Sequence, residues 1–350
     1  MVQTLPPIYF YIPCQDFPPD GLPKNMAEYW QWKFSVSEKY RSGKYDWVLQ
    51  TFLYLQEAGF PCQLIQHLPE EGILVSHRDF LAFDLQPQPK VLMVCIQADR
   101  PNHPYAQLHI VQNSQDPKQQ QLSNFWESYY IPLWIQPSLK PRCSERGDRI
   151  ENVAYYGIKY NLAAELKDPA WQEQLQALGL NWQIVRPEQW HDYSNVDVLI
   201  GVRSFEYDGQ YLWKPPSKLL NAWHAGVPAV LGCESAFRAQ RQSDLDYLEV
   251  HSPKDTLSAL KRLQNEPELR RAMIEHGKTR AKDSQPAKMV ERWCNFLINT
   301  ATPAYYRWVN ANPWGQQTFL KRRYLLIKTQ GLQRRLRSLV SPISENGNWN

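Results

Sequence analysis

The sequence predicts an α/β protein of two domains, each a parallel sheet flanked by helices. Three observations lead there. Short apolar runs recur along the chain, separated by stretches of helical periodicity, which is the rhythm of βαβ units. The rhythm halts in a proline-rich and then charged stretch, and restarts near residue 150. The chain has 350 residues, enough for two separate cores.

Composition narrows the function classes. A net charge of +4 is too mild to argue for nucleic acid, and none is expected as a partner. Hydrophobic content of 43% and charged content of 21% are those of a soluble globular protein. Aromatics reach 13%, with 14 Trp, so rings are expected between domains or along a cleft. No apolar run reaches transmembrane length, and residues 1–15 lack the basic segment and apolar core of a secretion signal. The 6 cysteines are scattered with no C-x-x-C pair, so neither a zinc ribbon nor a disulfide framework is indicated. Cys95 and Cys233 lie in apolar strands and read as inert core thiols. A reducing cytoplasm is the simplest location.

In the first half, residues 8–12 read as a buried strand running into a proline-rich loop that contains Asp16. Residues 24–46 are polar and aromatic and suggest no clear element. Residues 47–55 are apolar on most faces, a helix packed on a sheet and ended by Gly59. Strands are predicted at 62–65, 72–75, 91–96 and 108–111. His77 and Arg78 follow the third strand, and Gln112 and Asn113 follow the fifth. In open α/β sheets ligands bind outside the carboxyl ends of the strands. Residues 114–124 read as an exposed loop. Residues 131–142 hold too many prolines for a regular element and 143–149 are charged, so this stretch is taken as the interdomain linker.

The second half begins with a strand at 153–156, a turn at Gly157, and Lys159. A helix is expected to run through Leu178 to Gly179. Strands follow at 182–185 and 196–201, with Arg203 immediately after. Then comes the stretch Lys214-Pro215-Pro216-Ser217-Lys218-Leu219-Leu220-Asn221-Ala222-Trp223-His224-Ala225-Gly226-Val227-Pro228. Ser217 is suited to be a helix N-cap, Leu219, Leu220 and Trp223 give an apolar side, and Gly226 with Pro228 ends the helix. Residues 229–233 read as a strand. A helix N-terminus favours acidic neighbours, yet Lys214 and Lys218 stand there. An anion bound by free N–H groups and both lysines makes that arrangement favourable; the alternative is two lysines reaching into solvent. Asn221, one turn on, faces the same side. Lys159 and Arg203 also follow second-half strands, and several cations converging on one helix start suit a diphosphate.

A strand at 247–250 follows, then helices at 253–265, capped by Ser252, at 267–283 and at 286–300. The tail, 314–340, places Phe319, Leu320, Tyr324, Ile327, Leu332, Leu336 and Leu339 at helical spacing. Lys321, Arg322, Arg323, Lys328, Arg334, Arg335 and Arg337 fill the other positions. This predicts one or two basic amphipathic helices, broken at Gly331. They either lie on an anionic membrane surface or dock on the protein with a solvated basic face. The last ten residues are expected to be disordered.

The stretch from Lys214 to Pro228, with Pro253-Lys254-Asp255 and Asn265-Glu266-Pro267-Glu268-Leu269-Arg270 after it, resembles the carboxyl-terminal domain of GT-B glycosyltransferases of the group 1, family 4-like type. The resemblance covers roughly residues 150–300. It implies two Rossmann-like domains facing a cleft: an acceptor domain with its linker over 1–149, a nucleotide-sugar domain over 150–302, and C-terminal helices over 303–340 that return to the first domain. It further implies transfer of a sugar from a nucleoside-diphosphate donor to a hydroxyl on a glycan or lipid-linked acceptor, as in polysaccharide biosynthesis. No cofactor and no metal are implied, since helix dipole and cations do that work. By the resemblance Lys218, Lys214 and the Ser217 backbone hold the leaving diphosphate, and Arg203 and Lys159 add to it. Should the reaction invert, Asp16 and His77 are the candidates for a base. The family often carries two glutamates where this chain has Asn221 and Trp213, and an amide cannot serve as a carboxylate. A non-catalytic GT-B protein that binds a nucleotide or glycan is therefore the alternative. Glu206 and Asp208 are the carboxylates nearby in sequence.

Overall fold

The computed structural model describes residues 4–19, 21–115, 127–206 and 211–340, with the helical backbone alone over 330–340. Asp208, most of the expected loop at 114–124 and the last ten residues lie outside the described residues.

The first sheet holds β1 (Ile8–Tyr11), β2 (Gln63–Ile65), β3 (Gly72–His77), β4 (Val91–Ile96), β5 (Leu108–Val111) and β6 (Glu127–Tyr130). All pair in parallel, in the order β2-β1-β3-β4-β5-β6. Every residue of β3 and β4 is buried, which is why these strands read as continuous apolar runs. β6 was not expected: Glu127-Ser128-Tyr129-Tyr130 is a partly exposed edge strand without an apolar signature. The second sheet holds β7 (Asn152–Tyr156), β8 (Asn181–Val185), β9 (Val198–Gly201), β10 (Ala229–Leu231) and β11 (Leu248–Glu249), in the order β11-β10-β9-β7-β8. Counted in chain order, both sheets run second-first-third-fourth-fifth. Each is a doubly wound Rossmann-like sheet whose strand order reverses beside its first strand, and each offers a ligand crevice there.

In the unassigned stretch, α1 (Met26–Ser35) is capped by Asn25, whose side chain accepts the Glu28 N–H at 2.9 Å. Then α2 (Gly43–Glu57) begins earlier than its apolar run and buries Tyr45, Trp47, Val48 and Leu49. The helix expected up to Leu178 is short: two 3-10 turns precede α3 (Pro169–Gln176), capped by Asp168. The second domain continues with α4 (Ser217–Ala225), α5 (Ser235–Gln240), α6 (Pro253–Asn265) and α7 (Pro267–Ala281). Gly226 ends α4 at φ 67°, a left-handed conformation that a side chain resists. Ser252 caps α6 as its sequence predicts, accepting the Asp255 N–H at 3.0 Å.

The chain crosses between domains earlier than residue 149. Ile131 and Trp134 belong to the first core, whereas Leu139 packs on the second. The charged stretch 143–149 is no free linker. Arg142 and Arg146 both close on Asp197, which is fully buried and also accepts the Glu151 and Asn152 backbone N–H groups at 2.9 Å each. Burial pushes the Asp197 pKa up, but Arg146, the two amides and Arg142 outweigh it and hold the carboxyl below its usual range.

The return crossing is also earlier than 302. Met289, Trp293 and Phe296 of α8 (Pro286–Phe296) sit in the first core, Trp293 edge-on to Phe10 at 6.4 Å. Burying a side chain of that size stabilises by about 3 kcal/mol, which ties the C-terminal helices to the first domain. There follow α9 (Thr302–Val309) and α10 (Pro313–Val340). Gly331 does not break α10, because one glycine costs only about 1 kcal/mol inside a helix. Its proximal half docks through Leu320 and Tyr324, whose ring stacks on Tyr105 at 5.8 Å. Arg323, expected on the solvated basic face, is buried and donates to the Ala106 carbonyl; burial pulls its pKa down to about 9. Among the described residues no helix is long and apolar enough to cross a membrane.

Candidate functional site

The two sheets present their strand ends to one another across a cleft of about 560 Å³. Its first-domain wall is Trp30, Lys33 and Phe34 of α1 with Asp46 and Gln50 of α2. Its second-domain wall is Tyr155 to Ile158, Trp190, and the first turn of α4 with Ser217, Lys218 and Asn221. The aromatic excess is therefore spent where the sequence suggested. Trp30 meets His191 across the gap, with ring centres 4.8 Å apart.

The start of α4 is built without a side-chain cap. Pro216, not Ser217, is the capping position, and Ser217 is the first helical residue. The proline pair fixes the entry geometry, and a prolyl residue has no side-chain acceptor to offer. Among the described residues, the backbone N–H groups of Ser217 and Lys218 have no acceptor. Lys218 is half-buried on the cleft wall; its ammonium meets the Tyr155 ring at 5.3 Å and has no carboxylate partner among the described residues. Burial pulls its pKa down to about 7; Arg203 adds to this, Glu234 offsets it in part, and Lys214 adds again. Gly201 makes room for this lysine: a Cβ there would lie 3.1 Å from Lys218 Cδ and 2.6 Å from Leu231 Cδ2.

Arg203, one strand over, is ion-paired with Glu234. Both side chains are more than nine-tenths buried, at 9% and 6% exposed, and among the described residues Arg203 Nε and Glu234 Oε1 have no partner. Lys214 is near this group but bonded to the opposite domain, 2.8 Å from Asp99. Lys159 does not join: the 3-10 turn after Gly157 leaves it exposed and outside the cleft lining. Asn221 lines the cleft, yet its carboxamide oxygen accepts the Gln136 N–H at 3.0 Å, binding the crossover segment. Thus Ser217, Lys218 and Asn221 line the cleft together, Arg203 is close enough to lower the Lys218 pKa but does not line it, Lys214 faces away, and Lys159 is apart.

On the first-domain side, Asp16 and His77 flank the reversal point between β1 and β3. Asp16 is held by Lys44 at 2.9 Å, and its backbone carbonyl accepts the Tyr45 hydroxyl at 2.7 Å. His77 is buried, and its Nδ1 accepts the Asp79 N–H at 3.1 Å. Burial takes its pKa down to about 4 despite Asp79 and Asp99 nearby. The ring is therefore neutral with its proton on Nε2, a donor and not a base in this state. Gln112 and Asn113, at the end of β5, accept no ligand role here: they donate to the Trp213 and Leu212 carbonyls at 3.0 and 2.5 Å. Glu206 is exposed.

Sequence reasoning passed over Glu234 and Asp99. Both stand just past the carboxyl ends of β10 and β4, and the strand-end rule that singled out Gln112 and Asn113 applies equally to them. Ala98, immediately before Asp99, has φ 48°, rare for a residue with a side chain. No sequence pattern announces that.

No family model matches the sequence, and no curated protein matches it. In structure the chain is similar to GT-B glycosyltransferases. A pneumococcal O-GlcNAc transferase, GtfA, in complex with UDP and GlcNAc is 12% identical, with 72% of this chain and 60% of that chain covered and a TM-score of 0.47. TarM is 11% identical over 72% and 58%, TM-score 0.45. Sucrose-phosphate synthase from Thermosynechococcus elongatus is 12% identical over 74% and 78%, TM-score 0.44. The chain thus spans about 60% of the length of the first two. At such distance the likeness adds no residue role. The paired doubly wound sheets, the cleft and the returning helices carry the architecture by themselves.

Proposed function

We propose that the protein is a metal-independent glycosyltransferase, moving a sugar from a nucleoside-diphosphate donor to a hydroxyl acceptor. The observation that carries this is Lys218: a half-buried ammonium with no carboxylate partner among the described residues, beside amides at a helix start that have no acceptor there, on the wall of an interdomain cleft. Desolvation and the nearby Arg203 and Lys214 disfavour its charge. An anion with several oxygens relieves that cost, since it takes both amides and the ammonium at once. The departing diphosphate gains negative charge as the sugar bond breaks, so donors already aimed there lower the barrier. Arg203 reaches the same anion by sharing or releasing Glu234, and Lys214 by leaving Asp99.

The acceptor side suits a glycan. Trp30 and Phe34 offer apolar faces, while Lys33, Asp46 and Gln50 offer polar edges, and Gln50 Oε1 is buried without a partner. Asp16 serves as base only if Lys44 releases it. The distal half of α10 reaches beyond the docked segment and is basic; contact with an anionic membrane there suits a lipid-linked acceptor. The contrary reading, a nucleotide-binding protein without turnover, rests on Asn221 being committed to Gln136.

A thermal-shift screen of the common sugar nucleotides tests the reading. A ligand at about 100 times its Kd adds about 2.7 kcal/mol of stability. A hit followed by donor hydrolysis or transfer supports the enzyme, and a hit without turnover supports the contrary reading. If no nucleoside-diphosphate sugar shifts the unfolding temperature, the proposal fails.

A further inference from the structure

We infer that Cys233, Glu249 and His251 form a zinc site that staples the outer edge of the second sheet. Their spacing along the chain matches no metal-binding motif; the fold brings them together. Cys233 follows β10, Glu249 ends β11, and His251 follows it. Thiolate, imidazole and carboxylate are the three ligand types zinc prefers. Their ligand atoms lie within 4.8 Å of one another. Cys233 Sγ is 2.9 Å from His251 Nδ1 and 3.9 Å from Nε2, and Nε2 is 3.4 Å from Glu249 Oε1. A tetrahedral zinc, with bonds of about 2.0–2.3 Å, sets its ligand atoms about 3.3–3.8 Å apart. Closing the site therefore asks for movements of about 1 Å or less. His251, whose side chain is 58% exposed, makes them by turning, which exchanges its 2.9 Å contact with the Cys233 thiol for a bond to the metal.

The surroundings are those of a supporting shell. Arg238 holds both Glu249 oxygens, at 2.8 and 2.7 Å, and the Tyr247 hydroxyl adds a bond at 3.1 Å. A carboxylate has about four acceptor directions, so Oε1 keeps one for a metal while these bonds fix its orientation. Asp255 accepts the His251 backbone N–H at 3.2 Å and steadies the turn. Charge also balances. A Cys233 thiolate, Glu249, Asp255 and Asp244 offset Arg238, Arg241 and one divalent ion. Burial, with Glu249 and Asp255 close by, pushes the Cys233 thiol up, so the metal must displace its proton and binding weakens as pH falls.

The edge needs such a staple. β11 is two residues long and pairs only with β10. An ion shared by the ends of both strands fixes that pairing. It also fixes Glu234, the residue after Cys233, and hence Arg203. Three protein ligands leave a fourth position for water.

The test uses the full chain stripped with chelator and titrated with cobalt(II) as a visible probe for zinc. One equivalent is expected to bind with a thiolate-to-cobalt charge-transfer band, and zinc is expected to displace it. Cys233→Ser removes the band, and His251→Ala weakens binding about 10–100-fold or more. Cys143→Ser, a distant half-buried thiol, leaves both unchanged. A missing band in the unaltered chain, or a band that survives Cys233→Ser, overturns the proposal. If Cys233→Ser does not fold, His251→Ala decides: unchanged cobalt affinity refutes the site. None of the three ligands lines the cleft, so failure here leaves the donor-binding reading standing, and the reverse also holds.

Discussion

Lys218 gives the sharpest prediction, because its charge state and its proposed job are in conflict. Its pKa in the free protein is about 7, where burial and two neighbouring cations hold it. A bound diphosphate supplies the missing counter-charge and pulls the pKa back up, so the complex keeps the proton. At pH about 9, two units above the free value, about 1% of empty sites carry the charge. Donor affinity should therefore fall about 100-fold between pH about 6 and about 9, or about 2.7 kcal/mol. A nucleoside-diphosphate sugar is the ligand to use, since its diphosphate diester holds its own charge over that range. Calorimetry in two buffers of different ionisation enthalpy should show uptake of close to one proton per donor at the alkaline end and almost none at the acid end. Lys218→Met should flatten the profile and weaken binding at neutral pH by about 1.5–3 kcal/mol, the worth of a charged hydrogen bond. A flat profile in the unaltered protein, or the same slope in Lys218→Met, refutes the assignment.

Three further outcomes follow from buried charges. Lys218→Met should also stabilise the empty protein near neutral pH: the unfolded chain binds that proton up to about 10.4, the folded one only to about 7, so the lysine's cost is full below 7 and gone above its unfolded value, and a gain in Tm of a few degrees that vanishes in alkali is expected. Asp197→Ala strands Arg142 and Arg146 and should cost about 3–5 kcal/mol by urea unfolding; a loss under about 1 kcal/mol would mean that the crossover is anchored elsewhere. For His77, the unfolded ring takes a proton near 6.5 and the folded ring only near 4. Stability therefore falls as pH drops through that window, by up to about 3 kcal/mol, and His77→Asn, whose amide oxygen can still accept the Asp79 N–H, should remove that share of the acid sensitivity.

What the sequence discloses depends on whether the governing force is local. Strands β4 and β5 match their predicted bounds because both faces are buried and, His109 apart, every residue is apolar. α6 begins where Ser252 caps it. In contrast α1 is half-exposed and aromatic, with little periodic contrast, and its helical state rests on the Asn25 cap and contacts with α2. At the crossover, charge in the sequence does not mean exposure. Arg142 and Arg146 are polar in sequence, but Asp197, some fifty residues on, gives them a buried partner. The same holds for Arg323. Residue type and strand-end position pointed to Lys218, which lines the cleft, and to Arg203, which does not line it and is paired with Glu234. They did not show that Lys159 turns out to solvent, or that Lys214 pairs with Asp99, since both depend on loop geometry.

The Lys214–Asp99 pair bears on how the cleft works. Just before each partner's segment stands a residue in the left-handed region, Ala98 at φ 48° and Tyr211 at φ 63°. Gln112 and Asn113 grip the carbonyls between Tyr211 and Lys214. The loop that carries Lys214 is thus fastened to the first-domain strand ends by three polar contacts, of which Gln112 and Asn113 are buried and the Lys214–Asp99 pair is partly exposed. A partly exposed ion pair is worth about 1 kcal/mol or less, below the about 1.5–3 kcal/mol of a charged hydrogen bond to a diphosphate. A donor that offers its oxygens to Lys214 can therefore break the tie to Asp99 at small cost. That exchange frees a carboxylate on the acceptor side at the moment a donor is bound, which links occupation of one domain to the electrostatics of the other.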